Sequence, residues 1–233
     1  MRTVLAERGF AVEFRSKAKQ PRIYLHSAER MPEVADQSAK LFLGASVFLG
    51  KGVPWSEYRK LYEQVYLKQA LRVIRGDGYF LVIQTNAYQD GGVLCRYQLL
   101  LDLLLPAGWK LIDEKVWVRK KADFFQIPFS HVLAFIPPNG TGSRTVLNKH
   151  KDWFPGAWVY GQTKGSGCAS YPYALSRLLV EACTDKGDLI VDAFSGSGIV
   201  SKTAAELGRE SIGYEIDEEM IPVLDSNGCK VIR

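Results

Sequence analysis

The chain has 233 residues, of which 47% are hydrophobic and 24% charged, and its formal net charge is +5. This is the composition of an ordinary soluble chain long enough to bury a sizeable core, and it excludes disordered, collagen-like and disulfide-stapled classes. The apolar runs, such as 41–49 and 99–106, fall short of the roughly 20 residues that cross a bilayer, so no membrane segment is expected.

Apolar runs and helix-period segments alternate along the chain, which predicts an α/β sheet rather than a bundle or a sandwich. Lys40-Leu-Phe-Leu-Gly-Ala-Ser46 reads as a buried strand. Residues 55–74 read as a helix opened by Pro54 and closed by a Gly76-Asp-Gly78 turn, and Tyr79-Phe-Leu-Val-Ile-Gln84 as the next strand. Residues 94–105 look helical and stop at Pro106. The segments 110–119 and 131–136 read as two strands, antiparallel neighbours at one edge of the sheet.

Residues 137–167 are rich in Gly, Pro, Asn, Trp and basic side chains and have no clear period, so an irregular insertion is expected there, in a position suited to a recognition element. Pro137-Pro138 reads as the start of that loop. From Pro172 the pattern is regular again. A helix runs to Cys183, a turn follows at Lys186-Gly187, then a strand 189–191, a helix through Leu207 and a strand 211–214.

The N-terminus carries an early positive charge, but Glu7, Arg8 and Glu13 interrupt any apolar signal core, so a cytoplasmic location is expected. Cys95, Cys168, Cys183 and Cys229 form no CxxC pair and are read as reduced thiols, with no metal site indicated. Basic residues cluster at Arg59, Lys60, Lys68, Arg72 and Arg75, again at Arg119, Lys120 and Lys121, and again at Lys149, His150 and Lys151. The last cluster lies beside Trp153, Phe154 and Trp158, an interleaving suited to phosphate contact and base stacking; solvated surface faces would look the same. Lys149, Lys151 and Trp153 are the nucleic-acid candidates.

Asp192-Ala-Phe-Ser-Gly196-Ser-Gly198 follows an apolar strand and opens a helix, where glycines permit a tight turn and close approach of a ligand to backbone. Glu215 ends the next strand about 20 residues on, where an acid accepts from ribose hydroxyls. A dinucleotide site would want GxGxxG and no acid beside the pyrophosphate. The acid at Asp192 suits instead a cationic amino-acid tail, such as that of S-adenosylmethionine. Asp192, Phe194, Gly196, Ser197, Gly198 and Glu215 are the cofactor-binding candidates.

Leu189-Ile-Val-Asp-Ala-Phe-Ser-Gly-Ser-Gly and Ala204-Ala-Glu-Leu-Gly-Arg-Glu-Ser-Ile-Gly-Tyr-Glu-Ile-Asp217 resemble the cofactor half of the permuted, beta-class DNA amino-methyltransferases. The resemblance implies a single Rossmann-like methyltransferase domain over 1–233, with a mostly parallel sheet and helices on both faces. Its catalytic half would be 1–136 and its cofactor-binding half 168–233. It also implies S-adenosylmethionine as cofactor, methylation of adenine N6 or cytosine N4 in DNA, and pairing with a second copy or another methyltransferase subunit. Family members hold a flipped base with a tetrad of Asp, Asn or Ser, two prolines and an aromatic residue. Alignment places Ala45-Ser-Val-Phe48 on that tetrad, so Ser46 and Phe48 are the catalytic candidates of a degenerate site. An Asp-Ala-Phe also stands for the usual Asp-Pro-Phe, while Tyr171 and Pro172 keep the family pattern. The alternative reading is a catalytically silent homologue that binds DNA or regulates an active subunit.

Overall fold

The computed structural model describes residues 19–45, 53–89, 91–119, 127–161 and 170–233. Its main element is a nine-stranded sheet. In chain order the strands are β1 (Arg22–Tyr24), β2 (Ala39–Ala45), β3 (Ile74–Gln84), the hairpin strands β4 (Ala87–Gln89) and β5 (Gly92–Leu94), β6 (Lys110–Arg119), β7 (Phe129–Ile136), β8 (Ala157–Tyr160), β9 (Leu189–Asp192), β10 (Glu210–Tyr214) and β11 (Lys230–Ile232). The large sheet has the order β11-β1-β10-β9-β2-β3-β7-β6-β8, while β4 and β5 pair only with each other. Every neighbouring pair in the large sheet is parallel except those of β7, which runs antiparallel to both β3 and β6. This is the expected Rossmann-like arrangement, a mostly parallel sheet with helices on both faces.

Strand periodicity explains how one sheet supports two cores, because successive side chains leave opposite faces. Phe42, Phe80, Val82, Phe135 and Val191 pack on one face with residues of the 55–73 and Arg96–Leu104 helices. Leu41, Leu43, Leu81, Val132 and Ile190 pack on the other with the helices Tyr173–Cys183 and Ile199–Glu206. Strands covered on both faces read as continuous apolar runs, as 41–43 and 79–83 do. The helix predicted over 55–74 is α-helical at Trp55–Tyr62, π-helical at Glu63–Ala70 and α-helical again at Leu71–Val73.

Two expectations are revised. Gly76-Asp-Gly78 lies inside β3, not in a turn before it. A Cβ at Gly78 would approach Ile74 Cγ2 to 2.8 Å and two carbonyls of β2 to 3.0 Å, so glycine serves close strand approach there. Within the segment 137–167, read as an irregular insertion, β8 extends the sheet beside β6, and Leu147, Trp153 and Trp158 are buried in its core. The 96–104 helix buries Leu99, Leu100, Leu103 and Leu104 in the core on the other face. Among the described residues Cys95, Cys183 and Cys229 are free thiols, and no helix is long and apolar enough to cross a membrane.

Candidate functional site

Sheet order directs attention to one place. From β9 the chain moves to β10 on one side, whereas β2 leads to β3 on the other, so β9 and β2 flank a topological switch point. In such sheets a crevice opens at the carboxyl ends of these strands. Asp192 ends β9 there, in register with Gly213 of β10 and Leu43 of β2.

The loop after Asp192 is held by backbone bonds to both neighbours. Ala193 N donates to Leu43 O at 3.0 Å, and Ser195 N to Tyr214 O at 2.9 Å. Glu215 then acts as a clasp: Oε2 accepts from Gly196 N at 2.8 Å, and Oε1 from the amides of Ile216 and Asp217 at 2.8 and 3.0 Å. Gly196 has φ +50°, in the left-handed region, and a Cβ there would meet nothing within 4 Å. Its requirement is conformational, and its outer side is open to a ligand.

Gly198 is different. It has φ +73° and begins the 199–206 helix, and a Cβ would come within 2.8 Å of Leu224 Cδ2 and 2.9 Å of Cys229 Sγ. It does not line the cleft, and its environment is one of close packing.

Two cavities meet at this loop. One, of about 230 Å³, is lined by Asp192, Phe194, Gly196, Ser197 and Glu215 on the loop side. Its other walls include Ala45, Thr85, Arg119, Ser130 and Tyr171. The second, of about 520 Å³, lies over Ala193 and Ile216 and is walled by His26, Ser27 and Glu29 from the segment after β1. Phe194 and Glu215 line both.

Asp192 is the group whose chemistry stands out. It is 3% exposed, and no cation pairs with it among the described residues. Burial pushes its carboxyl up to about 7, against a hydrogen bond from Phe194 N that favours the charged form, while the charge of Glu215 raises it further. A buried acid in this state favours a cationic ligand, whose charge would restore the lost solvation.

Ser46 and Phe48 lie outside the described residues. Ala45 is described at the end of β2, lining the cleft with a methyl group, and its carbonyl accepts from Tyr66 Oη at 3.1 Å. Lys149 and Lys151 are exposed and do not line the cleft. Trp153 corrects the stacking expectation. It is 0% exposed, and its indole donates to Asp113 Oδ2 at 2.9 Å, so it has no face to offer a base. The exposed aromatic residue of that segment is Phe154, at 69%. The cleft residues Thr85, Arg119 and Ser130, and the groove residues His26 and Ile216, were not among the sequence candidates. The rule that carboxyl ends of parallel strands line the site would have pointed to Thr85, just past β3.

A family model described as DNA methylase matches residues 137–225. The type II methyltransferase M.MjaI of Methanocaldococcus jannaschii is 42% identical over 57 residues, 24% of this chain and 19% of that protein. M.BglI of Bacillus subtilis, also a type II methyltransferase, is 27% identical over 170 residues, 66% of this chain and 47% of that protein. Over these stretches the chain is similar to DNA amino-methyltransferases. The matched stretches span less than half the length of these curated relatives. Among solved structures, the PvuII DNA methyltransferase, described as cytosine-N4-specific, superposes with a TM-score of 0.74 at 16% identity, covering 92% of this chain and 95% of that one. A complex of M1.HpyAVI with S-adenosylmethionine superposes with a TM-score of 0.60 at 16% identity, over 88% of this chain and 98% of that one. At such identities these likenesses concern the fold.

Proposed function

We propose that the joined cavities bind S-adenosylmethionine and that the chain works on an exocyclic amine of a DNA base. The observation that carries this reading is Asp192, a buried carboxylate without a cation among the described residues, aimed into a cleft beside a ribose-reading acid. Asp192 accepts from the ammonium of the cofactor's amino-acid end. Glu215 already accepts three backbone N–H groups, two on Oε1 and one on Oε2, so Oε2 keeps a lone pair for a ribose hydroxyl. The groove beside Ile216, itself 73% exposed, supplies an apolar surface for the adenine. The bound cofactor supplies an electrophilic methyl group, and the protein's part is to orient it and exclude water. Lys149 and Lys151, with the exposed ring of Phe154 close by in sequence, form the outer DNA contact, phosphate to lysine and base to ring.

Ala45 supports a second reading. Where the family's tetrad begins with an acceptor side chain, this wall has only a methyl group, which favours a homologue that keeps cofactor and DNA binding but transfers slowly or not at all. Tritiated methyl transfer to unmodified DNA, run beside calorimetric cofactor binding, separates the two. Transfer supports the enzyme, binding without transfer supports the silent homologue, and absence of cofactor binding contradicts both. The combined substitution Ala45→Ser, Ser46→Pro, Val47→Pro and Phe48→Tyr is expected to raise transfer at least tenfold.

A further inference from the structure

Arg119 stands on the cleft wall across from the cofactor loop. It ends β6. Its Nη1 donates to Ser130 Oγ at 2.9 Å, and that hydroxyl lies 2.6 Å from Thr85 Oγ1. Nη2 donates to the carbonyls of Ile127 and Phe129, and the guanidinium sits 5.7 Å from the Trp117 ring centroid. Every one of these partners is neutral, and no carboxylate among the described residues forms an ion pair with it.

Three other part-buried arginines among the described residues have acids near them. Arg72 pairs with Asp36, and Arg75 with Asp77 and Asp188. Arg209 also bonds neutral groups, Thr184 and the carbonyl of Leu207, but it lies in the field of Asp185, Glu181 and Asp188. At Arg119 burial alone acts, lowering its pKa, with no acid to offset it. Nη2 has both hydrogens engaged and Nε is buried, which leaves an Nη1 N–H, propped by a ring and a hydroxyl chain, for an anion that arrives from outside.

We propose that Arg119 binds the phosphate of the nucleotide whose base is presented to the cofactor. The inference rests on the methyltransferase reading and adds the residue that seats the acceptor. Sheet order sets the span. From Ala45 on β2 the wall runs through β3 and β7 to Arg119 on β6, three strand spacings or about 14 Å. A nucleotide laid along that wall, with its amine at the β2 end, brings its sugar past the Thr85 and Ser130 hydroxyls and its phosphate within reach of the arginine. The lysines of the 149–151 segment hold the strand outside the cleft, whereas Arg119 acts on the nucleotide that has entered it.

The test uses the full chain and a short single-stranded oligonucleotide of mixed sequence, which enters without first leaving a duplex. Each phosphate contact on a single strand contributes about 0.7 to the slope of log affinity against log salt. Arg119→Gln is expected to reduce that slope by about 0.7, and a loss of calorimetric affinity for S-adenosylmethionine in the same variant, which would place the arginine on the cofactor's carboxylate, overturns the proposal. Arg119→Lys keeps the charge and is expected to keep the slope, while a merely structural arginine would leave all three slopes equal or see glutamine and lysine fail alike. Either of those outcomes overturns the proposal, as does a wild type that binds cofactor but not the oligonucleotide. Failure of the wild type to bind cofactor instead overturns the underlying reading.

Discussion

Asp192 links stability to function. Its carboxyl ionises at about 7 in the fold but near the ordinary carboxylate value of 3.8 when unfolded. Between those values the folded chain holds the extra proton, so folding stability falls as pH rises from about 4 to about 7, and the loss is complete above that window. Asp192→Asn is therefore expected to be more stable than the wild type at pH 8, on the order of 2 kcal/mol, with the difference vanishing near pH 4. Urea midpoints at the two pH values check this. Trp153 and Phe154 make a second contrast between adjacent residues. Trp153→Phe removes the indole bond to buried Asp113 and is expected to cost about 1–3 kcal/mol of stability without changing DNA affinity. Phe154→Ala is expected to leave the urea midpoint in place and weaken single-strand binding by roughly tenfold. Sequence pattern pointed to aromatic residues among lysines in this segment but not to which ring faces solvent. That is decided by β6, which brings Asp113 within reach of Trp153 from 40 positions away.

At the scale of elements, the cofactor loop was legible because its signals are local: an apolar strand, an acid, two glycines and a helix in one short run. The distinct duties of the two glycines were not legible, because the groups that crowd Gly198 come from Leu224 and Cys229. Gly198→Ala forces both a left-handed φ and an overlap with those side chains. It is expected to destabilise the chain by about 1–3 kcal/mol, measured by thermal unfolding, and to weaken cofactor binding only through that loosening. Gly196→Ala meets open space and bears only the conformational strain, so its stability loss is expected to be smaller. The long strands β2, β3, β6 and β7 and the helices at 55–73, 96–104, 173–183 and 199–206 carried enough residues for their periods to be read. β1, β8 and β11 have three or four residues each, too few to show a period, and they exist because neighbouring strands offer an edge to pair with.

Across the whole molecule, the sheet order turns a linear sequence into a cleft. The cofactor acids lie within a stretch of 24 residues and could be found together, whereas Ala45, Thr85, Arg119 and Ser130 come from four strands that only the order β2-β3-β7-β6 makes neighbours. The acceptor wall was thus beyond sequence reading even though each residue lay in or beside a segment read as a strand. The same architecture binds the two halves energetically, since a cation in the cleft must draw the Asp192 proton off. Cofactor affinity should rise with pH through about 7 and binding should release a proton. The most direct measurement is a calorimetric titration of the wild type and Asp192→Asn with S-adenosylmethionine between pH 6 and 8. The expected result is wild-type binding that tightens with pH, and an asparagine variant weakened about thirtyfold or more with a flat pH profile. A wild type that does not bind, or an asparagine variant that binds as tightly with the same pH dependence, would contradict the role assigned to this cleft.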